Sequence, residues 1–588
     1  MFGLVWVKMS ETKKLEETIR KHSLMNAYLH KGKAQPQIVL GKVLGELPQY
    51  RGKAKEILEI VKGIVEEVNK LSVEEQKKLI MENWPWLLEE KPKPEKKVLP
   101  PLPNADKYPK VITRFSPNPD CALHLGSARA IVLSWKYAKM YNGEFYLRFE
   151  DTDPRYKRPQ PEFYDLIRED LEWLGCKWDK EIIQSDRLEI YYEYAKKLLE
   201  NGYAYVCTCK PENFREKILV CKACSCRNQP SEIQLEKWEK MLGGNYNEGE
   251  AVVRIKTDLN HPNPAVRDWP ALRIIDTEKF PHPRVGSKYR VWPLYNFSCG
   301  LDDHLLGITH IIRGKEHLTN ELRQKYLYRY FGWEYPESIH YGRLKITGAV
   351  LSKSKIKLGI ENGTYTDYGD PKLATLLALR RRGIKPQAII EMMVEVGVKP
   401  VDVTLSWENL YAINRKIVDP EANRYFFVSN PIQLEISEVE KPYLVKLYLH
   451  PDYPERGFRT FQIQPKNGKI KFYVSNTDLQ TLQPQKVVRL MGLFNIQVKN
   501  VENGKVEAKF HSETYEEAKK LHASLIHYIP FGEGFPATII MPDGSNVEGL
   551  VETSCKKLKP SEIVQFERFG FVRIEKINLK LIAYFSHK

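Results

Sequence analysis

The sequence predicts a multidomain α/β protein with a doubly wound parallel sheet at its centre. Three observations support this. The chain has 588 residues, whereas a domain takes roughly 100–200 residues. Strand and helix patterns alternate from about residue 109. After about residue 420 the pattern changes to short strands separated by turn residues, which is typical of β-sandwich or barrel modules.

The N-terminal residues 1–90 carry helical patterns. Apolar residues recur at helical spacing and predict one buried face, at Ile57, Val61, Ile64, Val65 and Val68. Ser72 followed by Glu75 is a capping-box signature for the next helix. The stretch EEKPKPEKKVLPPLPNADKYPK is rich in proline and lysine and is typical of a semi-rigid linker. It places a domain boundary near residues 90–108.

The central region predicts a βαβ rhythm. VITRF and EFYLRFED are expected to be strands, each followed by a helix, and PEFYDLIREDLEWLG is the second of these helices. Residues 201–290 break the rhythm and are interpreted as an insertion. HLLGITHIIRG then predicts another buried strand, so the insertion splits the sheet. Residues 360–418 return to helix.

Composition favours a polyanionic partner and argues against a membrane protein. Lys and Arg number 91 against 75 Asp and Glu, a formal net charge of +16. Such an excess favours nucleic acid. No apolar run approaches the ~18–20 residues that span a bilayer, and the start lacks the basic segment of a secretion signal. We expect a cytoplasmic protein without membrane contact.

The stretch RFSPNPDCALHLGSARA, residues 114–130, predicts a phosphate site. It joins a predicted strand to a predicted helix through a proline-rich turn, an arrangement that aims backbone N–H groups and a positive helix end at an anion. His124 can donate a hydrogen bond at this helix start. Gly126 leaves room for a ligand to approach the backbone.

The cysteines predict a metal site. Five of the nine lie in CTC and CKACSC, between Cys207 and Cys226. Tetrahedral zinc takes four thiolates, and such crowding favours metal binding over a disulfide framework. The spacing alone leaves open which four of the five would bind.

Together, HLGS at 124–127 and VLSKSK at 350–355 resemble the paired motifs of the class I aminoacyl-tRNA synthetases. More closely, the chain resembles the glutamyl-tRNA synthetases of the archaeal and eukaryotic type, from MNAYLHKGKAQ near the N-terminus to DPEANRYFFV near residue 420. The resemblance covers nearly the whole chain. It implies a ligase that uses ATP and Mg²⁺ to join L-glutamate to tRNA.

The resemblance also implies a division into functional regions. The catalytic domain is expected to be of the Rossmann type with an insertion, and the other parts to bind tRNA. The expected regions are 1–105, a helical extension and linker; 106–200 and 291–345, the halves of the catalytic domain; 201–290, the insertion that receives the acceptor end; 346–420, the lysine loop and helical stem-contact domain, with Arg380, Arg381 and Arg382; and 421–588, β-barrel modules that bind the anticodon.

By resemblance, two motifs perform the ATP chemistry. His124, Gly126 and Ser127 belong to the first, and Ser352, Lys353 and Lys355 to the second, which is expected to be a mobile loop. Many family members have histidine where this chain has Ser127, and lysine where it has Val350. Lys353 matches the more important second lysine of that loop.

The glutamate pocket is also assigned by resemblance. Arg114 would bind the side-chain carboxylate and Glu150 the ammonium group, while Tyr295 and Arg313 would hold the α-carboxylate. Ser116 and Asn118 complete the expected ligand-binding set. The resemblance also favours four cysteines as ligands of a structural Zn²⁺ and leaves Cys221 as a spare: Cys207, Cys209, Cys224 and Cys226.

The residues bear on three alternative functions. A glutaminyl-tRNA synthetase commonly has aspartate in place of Glu150 and an uncharged residue in place of Arg313, so both residues favour glutamate. A small-molecule adenylyltransferase would not need the strand-rich C-terminus. A catalytically silent RNA-binding descendant would be free to lose the motif residues. Whether tRNA(Gln) is used besides tRNA(Glu), and whether residues 1–90 bind a protein partner, stay open; a monomer is expected.

Overall fold

The computed structural model describes residues 2–30, 32–88, 99–502 and 504–588. The chain divides into two compact units, Met1–Lys97 and Val98–Lys588. Of the predicted linker, residues 89–110, the part from 89 to 98 lies outside the described residues. Within the described residues, no helix is both long and apolar enough to span a membrane.

The first unit is helical. Its helices are α1 (Phe2–Leu29), α2 (Pro36–Glu46), α3 (Ala54–Val68) and α4 (Val73–Asn83). The predicted apolar face of α3 is buried, and α1 packs against the other three helices. The capping box of α4 is confirmed, since the N–H of Glu75 donates to Ser72 Oγ (3.2 Å) and the N–H of Ser72 donates to Glu75 Oε2 (2.8 Å).

The second unit begins with the predicted βαβ rhythm. Its first elements are β1 (Ile112–Phe115), α5 (Leu125–Met140), β2 (Glu144–Phe149), α6 (Pro161–Leu174), β3 (Lys180–Ile183) and α7 (Leu188–Glu200). The three strands are parallel in the order β1-β2-β3. Strands β1 and β2 are buried on both faces, as parallel sheets are, whereas the edge strand β3 is partly exposed.

The insertion is built on an antiparallel sheet. Its elements are β4 (Ala204–Cys207), α8 (Pro211–Leu219), α9 (Ser231–Leu242), β5 (Val252–Ile255), β6 (Pro270–Ile274) and β7 (Val291–Pro293), with strand order β4-β5-β6-β7. The parallel layer resumes after it with α10 (Tyr295–Leu305), β8 (His310–Gly314), α11 (Leu318–Phe331) and β9 (Glu337–Tyr341).

The two parallel parts meet at β1. Strands β8 and β9 are parallel to each other. The N–H of Thr309, just before β8, donates to Ile112 O of β1 (2.9 Å). The layer therefore reads β3-β2-β1-β8-β9, the strand order of a doubly wound nucleotide-binding fold. Its switch point, where ligands bind in such folds, lies between the carboxyl ends of β1 and β8.

A helical segment follows the layer. Its elements are β10 (Leu344–Ile346), α12 (Lys353–Glu361), α13 (Leu376–Arg381), α14 (Pro386–Val396), β11 (Val403–Leu405) and α15 (Trp407–Val418). The sequence placed Lys353 and Lys355 in a loop, and this was wrong: both lie in the first turn of α12. The helix forms because Ser352 precedes it in an extended conformation and Ile356 is fully buried against Leu373 and Ala378.

The predicted all-β C-terminal region is confirmed as two curled seven-stranded sheets. One has the order β12-β25-β26-β27-β23-β24-β13, the other β21-β18-β19-β20-β14-β17-β22, and β15 pairs with β16. The elements are β12 (Arg424–Tyr425), β13 (Phe427–Ser429), β14 (Pro431–Ser437), β15 (Tyr443–Tyr448), β16 (Phe458–Ile463), β17 (Ile470–Ser475), β18 (Val487–Leu490), β19 (Asn495–Glu502), β20 (Lys505–Ser512), α16 (Tyr515–Lys520), β21 (Ser524–Ile526), β22 (Ile529–Pro530), β23 (Gly534–Ile540), β24 (Asn546–Glu552), β25 (Ile563–Phe566), β26 (Gly570–Ile577) and β27 (Leu581–His587).

The last strand packs on the helical segment. Arg382, directly after α13, is 2% exposed and donates to Ser586 O of β27 (3.1 Å) and to the Tyr411 hydroxyl (2.6 Å). Arg380 and Arg381 pair with Glu169 and Asp367. Of the three consecutive arginines, Arg382 is thus part of an internal joint between the two regions.

Candidate active site and cysteine cluster

Two adjoining clefts open at the switch point of the parallel layer. The larger has a volume of about 730 Å³ and is lined by the turn after β1 and the start of α12. The smaller, of about 540 Å³, is lined by residues after β2 and at the start of α10. Asn118, Lys157 and His317 line both. A ligand with two parts could therefore occupy both clefts at once.

His124 stands at the start of α5, inside the larger cleft. Its Nδ1 accepts a hydrogen bond from the N–H of Ser127 (3.2 Å), which gives Ser127 a structural role in the motif. Burial, with the charge of Lys353 adding to it, lowers the pKa of His124 to about 4. The ring is therefore neutral at pH 7, and its proton lies on Nε2, where it can be donated.

Gly126 lies against this ring. A Cβ at that position would lie 3.0 Å from Cε1 and Nδ1 of His124. A side chain there would push the ring out of place, so the glycine keeps the histidine orientation. This extends its predicted role, which was only to leave room for a ligand.

Lys353 crosses the larger cleft from α12. Its Nζ lies 2.7 Å from Asp120 Oδ1 and 3.0 Å from Asn118 O, both in the turn after β1. Ser354 and Lys357 also line this cleft. Ser352 and Lys355 do not, and Lys355 is exposed. Of the predicted second motif, the structure brings Lys353 to the site.

A buried ionic cluster supports the smaller cleft. Arg114 donates through Nε and Nη2 to both carboxylate oxygens of Asp303 (3.0 and 3.1 Å). Arg148 donates to the same carboxylate (2.8 Å) and to Glu150 Oε1 (3.1 Å). Cys299 Sγ lies 2.8 Å from Glu150 Oε1. These contacts fix Glu150 at the wall of the cleft.

The pKa values follow from this burial. Burial raises the pKa of Glu150, against the opposing effects of Arg148 and of the Cys299 hydrogen bond. Burial also acts to raise the pKa of Asp303, but the charges of Arg114 and Arg148 outweigh it and hold that pKa near 2. Asp303 is therefore ionised at neutral pH.

Of the two other residues predicted for the glutamate pocket, Tyr295 lines the smaller cleft and Arg313 does not. Arg313 donates to Gln324 Oε1 (3.1 Å) and to the Tyr335 hydroxyl (3.0 Å), both uncharged. Tyr295 lines the smaller cleft beside Glu150, and its hydroxyl lies 3.2 Å from Nδ1 of His317. Arg114 and Arg313 lie behind the residues that line the clefts.

Several polar atoms near the clefts are buried and have no hydrogen-bond partner among the described residues. They are Ser116 Oγ, Asn118 Oδ1 and Asn296 Oδ1. A buried polar group without a partner is costly, so such atoms beside a cleft are candidates to bind a ligand. Ser116 and Asn118 were predicted, whereas Asn296 was not.

Family models match this chain along most of its length. The model described as tRNA synthetases class I (E and Q), catalytic domain, matches residues 110–420. Two models described as anti-codon binding domains of the same class match residues 422–514 and 517–575. The chain belongs to the class I tRNA synthetases of the E and Q group.

Curated relatives match the synthetase over 98% of its chain and 100% of their own. A protein of Pyrococcus furiosus is 57% identical over 581 residues, one of Thermococcus kodakarensis 55% over 580, and one of Methanocaldococcus jannaschii 50% over 576. Each of the three is named a glutamate–tRNA ligase.

The insertion of the synthetase holds the cysteine cluster. The Sγ atoms of Cys207, Cys209, Cys224 and Cys226 all lie within 4.8 Å of one another. These are the four that the resemblance favoured. Cys221 is exposed, and within the described part of the chain its thiol lies outside this group of four. Four converging thiols suit a tetrahedral metal ion.

Sequence reasoning missed, besides Asn296, four residues that shape the clefts: Asp120, Arg148, Cys299 and Asp303. One signal was available for Arg148. It is a charged residue among the apolar residues of β2, and a charge buried in such a place needs a partner. The sequence did not say which partner.

Proposed function

We propose that the synthetase is a glutamate–tRNA ligase, which activates L-glutamate with ATP and transfers it to the 3′ end of tRNA(Glu). The charge balance of the buried ionic cluster beneath the smaller cleft carries this proposal. Within this cluster Arg114 and Arg148 pair with Asp303 and Glu150, and Arg313 adds a third guanidinium group, which leaves one positive charge.

This excess charge selects between the two amino acids of the family. Zwitterionic glutamate carries a net charge of −1 and would neutralise the pocket, whereas glutamine carries none. Glutamine would leave a buried cation without a partner, and that is costly. Arg313 is the source of the excess, because its hydrogen-bond partners are uncharged.

The contacts around the smaller cleft suggest a role for each residue that would bind glutamate. Glu150 would bind the ammonium group through Oε2, since Oε1 already accepts from Arg148 and Cys299. Arg114 donates through Nε and Nη2 to Asp303. Its remaining Nη1 would donate to the side-chain carboxylate of glutamate. Tyr295 and Asn296 would orient the α-carboxylate end.

The larger cleft would hold the triphosphate of ATP as its Mg²⁺ complex. The glutamate α-carboxylate attacks the α-phosphorus, the bond to the β-phosphate oxygen breaks, and pyrophosphate leaves. His124 would donate from Nε2 to phosphate oxygens at the positive end of α5. Lys353 would stabilise the charge that grows on the leaving pyrophosphate.

The other regions would bind tRNA. We propose that the two C-terminal sheets read the anticodon and that residues 201–290 receive the acceptor end. Arg380 and Arg381 could face the inner stem, but Arg382 is committed to Ser586 and Tyr411. We further propose that the protein is a cytoplasmic monomer. Charging of tRNA(Gln) with glutamate would be a separate activity, which an aminoacylation assay measures.

The cysteine cluster would hold a structural Zn²⁺. Four thiolates fill a tetrahedral shell and leave no position for a reacting water. The surroundings suit the resulting negative charge, since the N–H of Thr208 points at Cys226 Sγ (3.5 Å) and Lys237 Nζ lies 4.0 Å from it. The ion would fold the insertion rather than act in catalysis.

One assay tests the proposed function. Purified tRNA(Glu) and tRNA(Gln) are each offered with ATP and either glutamate or glutamine. We expect glutamate on tRNA(Glu) and no glutamine on either tRNA. Charging with glutamine alone would establish the glutaminyl alternative, and no charging at all would favour a silent RNA-binding protein.

A further inference from the structure

The larger cleft contains an ion pair that its ligand must break. Lys353 Nζ lies 2.7 Å from Asp120 Oδ1. Both side chains are partly exposed, at 32% and 22%, and both line the cleft. The ammonium group proposed to meet the phosphates is thus already neutralised by a carboxylate of the turn that carries His124.

Asp120 is unusual among the charged groups of this cleft. The cations that line it are Lys157, Arg158, Lys353 and Lys357, and the carboxylates are Asp120 and Glu316. Four cations against two carboxylates suit a polyphosphate. Of the two carboxylates, Asp120 is the one within ion-pair distance of Lys353.

We infer that Asp120 is a positioning residue for Lys353. It holds the ammonium group within the larger cleft, together with Asn118 O at 3.0 Å. The phosphates of ATP then compete with Asp120 for this cation. Asp120 therefore lowers the affinity for ATP, while it keeps α12 docked against the turn when no nucleotide is bound. The inference rests on the proposed function, because it takes ATP as the ligand of the larger cleft.

The change Asp120→Asn tests this inference, since it keeps the shape and removes the charge. We expect tighter binding of ATP, with Mg²⁺ and without glutamate or tRNA, by roughly 1.4-fold to fivefold, because partly exposed ion pairs contribute about 0.2–1 kcal/mol. Titration calorimetry gives the Kd, and the KM for ATP in aminoacylation should fall in the same direction. The gain should shrink at high ionic strength.

Two comparisons separate this role from others. In a Lys353→Met background, Asp120→Asn should no longer tighten ATP binding; an equal gain there would show that Asp120 merely repels phosphate, and would overturn the inference. Glu316→Gln removes the same charge from the same cleft without touching that ion pair, and should change the Kd less. Asp120→Ser repeats the test if the first variant is poorly folded.

The result also distinguishes the inference from the function on which it rests. A wild-type protein that binds no ATP would refute the proposed ligase. A wild-type protein that binds ATP and charges tRNA, with an Asp120→Asn variant of unchanged or weaker ATP affinity, would refute the positioning role alone.

Discussion

Arg114 and Asp303 form a two-point ion pair, with Nε and Nη2 of the arginine on the two oxygens of the carboxylate at 3.0 and 3.1 Å. The pair joins β1 to α10 beneath the smaller cleft. Arg148 adds a third hydrogen bond to the same carboxylate. One aspartate therefore fixes the direction of two arginines, and through Arg148 it also fixes Glu150.

Replacement of Asp303 should affect both stability and glutamate binding. Asp303→Asn leaves two buried guanidinium groups short of a counter-charge, and breaking a buried pair costs about 3–5 kcal/mol. We expect that loss in the free energy of unfolding, together with a raised KM for glutamate. Denaturant unfolding and aminoacylation kinetics measure the two.

An exposed ion pair supplies the control for that variant. Asp186 and Arg284 form one with side-chain exposures of 50% and 38%. Asp186→Asn should therefore cost only about 0–1 kcal/mol. Equal losses in the two variants would contradict the role of Asp303.

Cys299 should influence the pH at which kcat/KM for glutamate falls on acidification. Burial raises the pKa of Glu150, and the hydrogen bond from Cys299 opposes this rise. Cys299→Ala removes the donor, so the pKa of Glu150 should rise further. Because the ionised form would bind the ammonium group, kcat/KM for glutamate should then begin to fall at a higher pH as the solution is acidified.

A conservative variant separates this effect from packing. Cys299→Ser keeps a hydrogen-bond donor next to Glu150 and should leave the acid limb near its wild-type position. If the alanine and serine variants shift the limb equally, Cys299 acts through volume alone.

Arg313 should control the choice between glutamate and glutamine. Arg313→Gln removes the excess positive charge, so the kcat/KM ratio of glutamate to glutamine should fall on the order of tenfold, because a buried charge acts over several ångströms where water is excluded. Competitive charging with both amino acids measures the ratio. Arg329→Gln, at an exposed arginine of α11, is the control and should leave the ratio unchanged.

The cysteine cluster should bind one zinc ion per chain. Elemental analysis of the purified protein measures it, and Cys209→Ser should lose the ion and unfold the insertion at a lower temperature. Cys221→Ser is the matched control, since Cys221 is exposed and outside the cluster. Folded wild-type protein without zinc would remove the metal proposal.

The sequence predicted structure formed by residues close together in the chain, and it did not predict contacts between residues far apart in the chain. The turn around His124 was predictable because strand, turn and helix follow one another within a short stretch. The partners Arg114 and Asp303 are separated by 189 positions, and Asp120 and Lys353 by 233. No periodicity or spacing joins residues so far apart, and only the fold brings them together.

The helix at Lys353 was missed for a different reason. SKSKIK is charged, and a charged run is typical of a solvated loop. Its one fully buried residue, Ile356, packs against Leu373 and Ala378, which lie outside that stretch. The packing partners decided the structure, and the sequence gives no sign of them at that point.

The turn that carries His124 is also bonded to the helical segment. The N–H of Leu125 donates to Ala374 O, and the N–H of Leu376 donates to Leu123 O, each at 2.9 Å. A trimmed enzyme intended for adenylate formation alone could therefore not stop after β9, because it would lose the backbone that braces the turn carrying His124. The smallest catalytic fragment has to continue at least through α13.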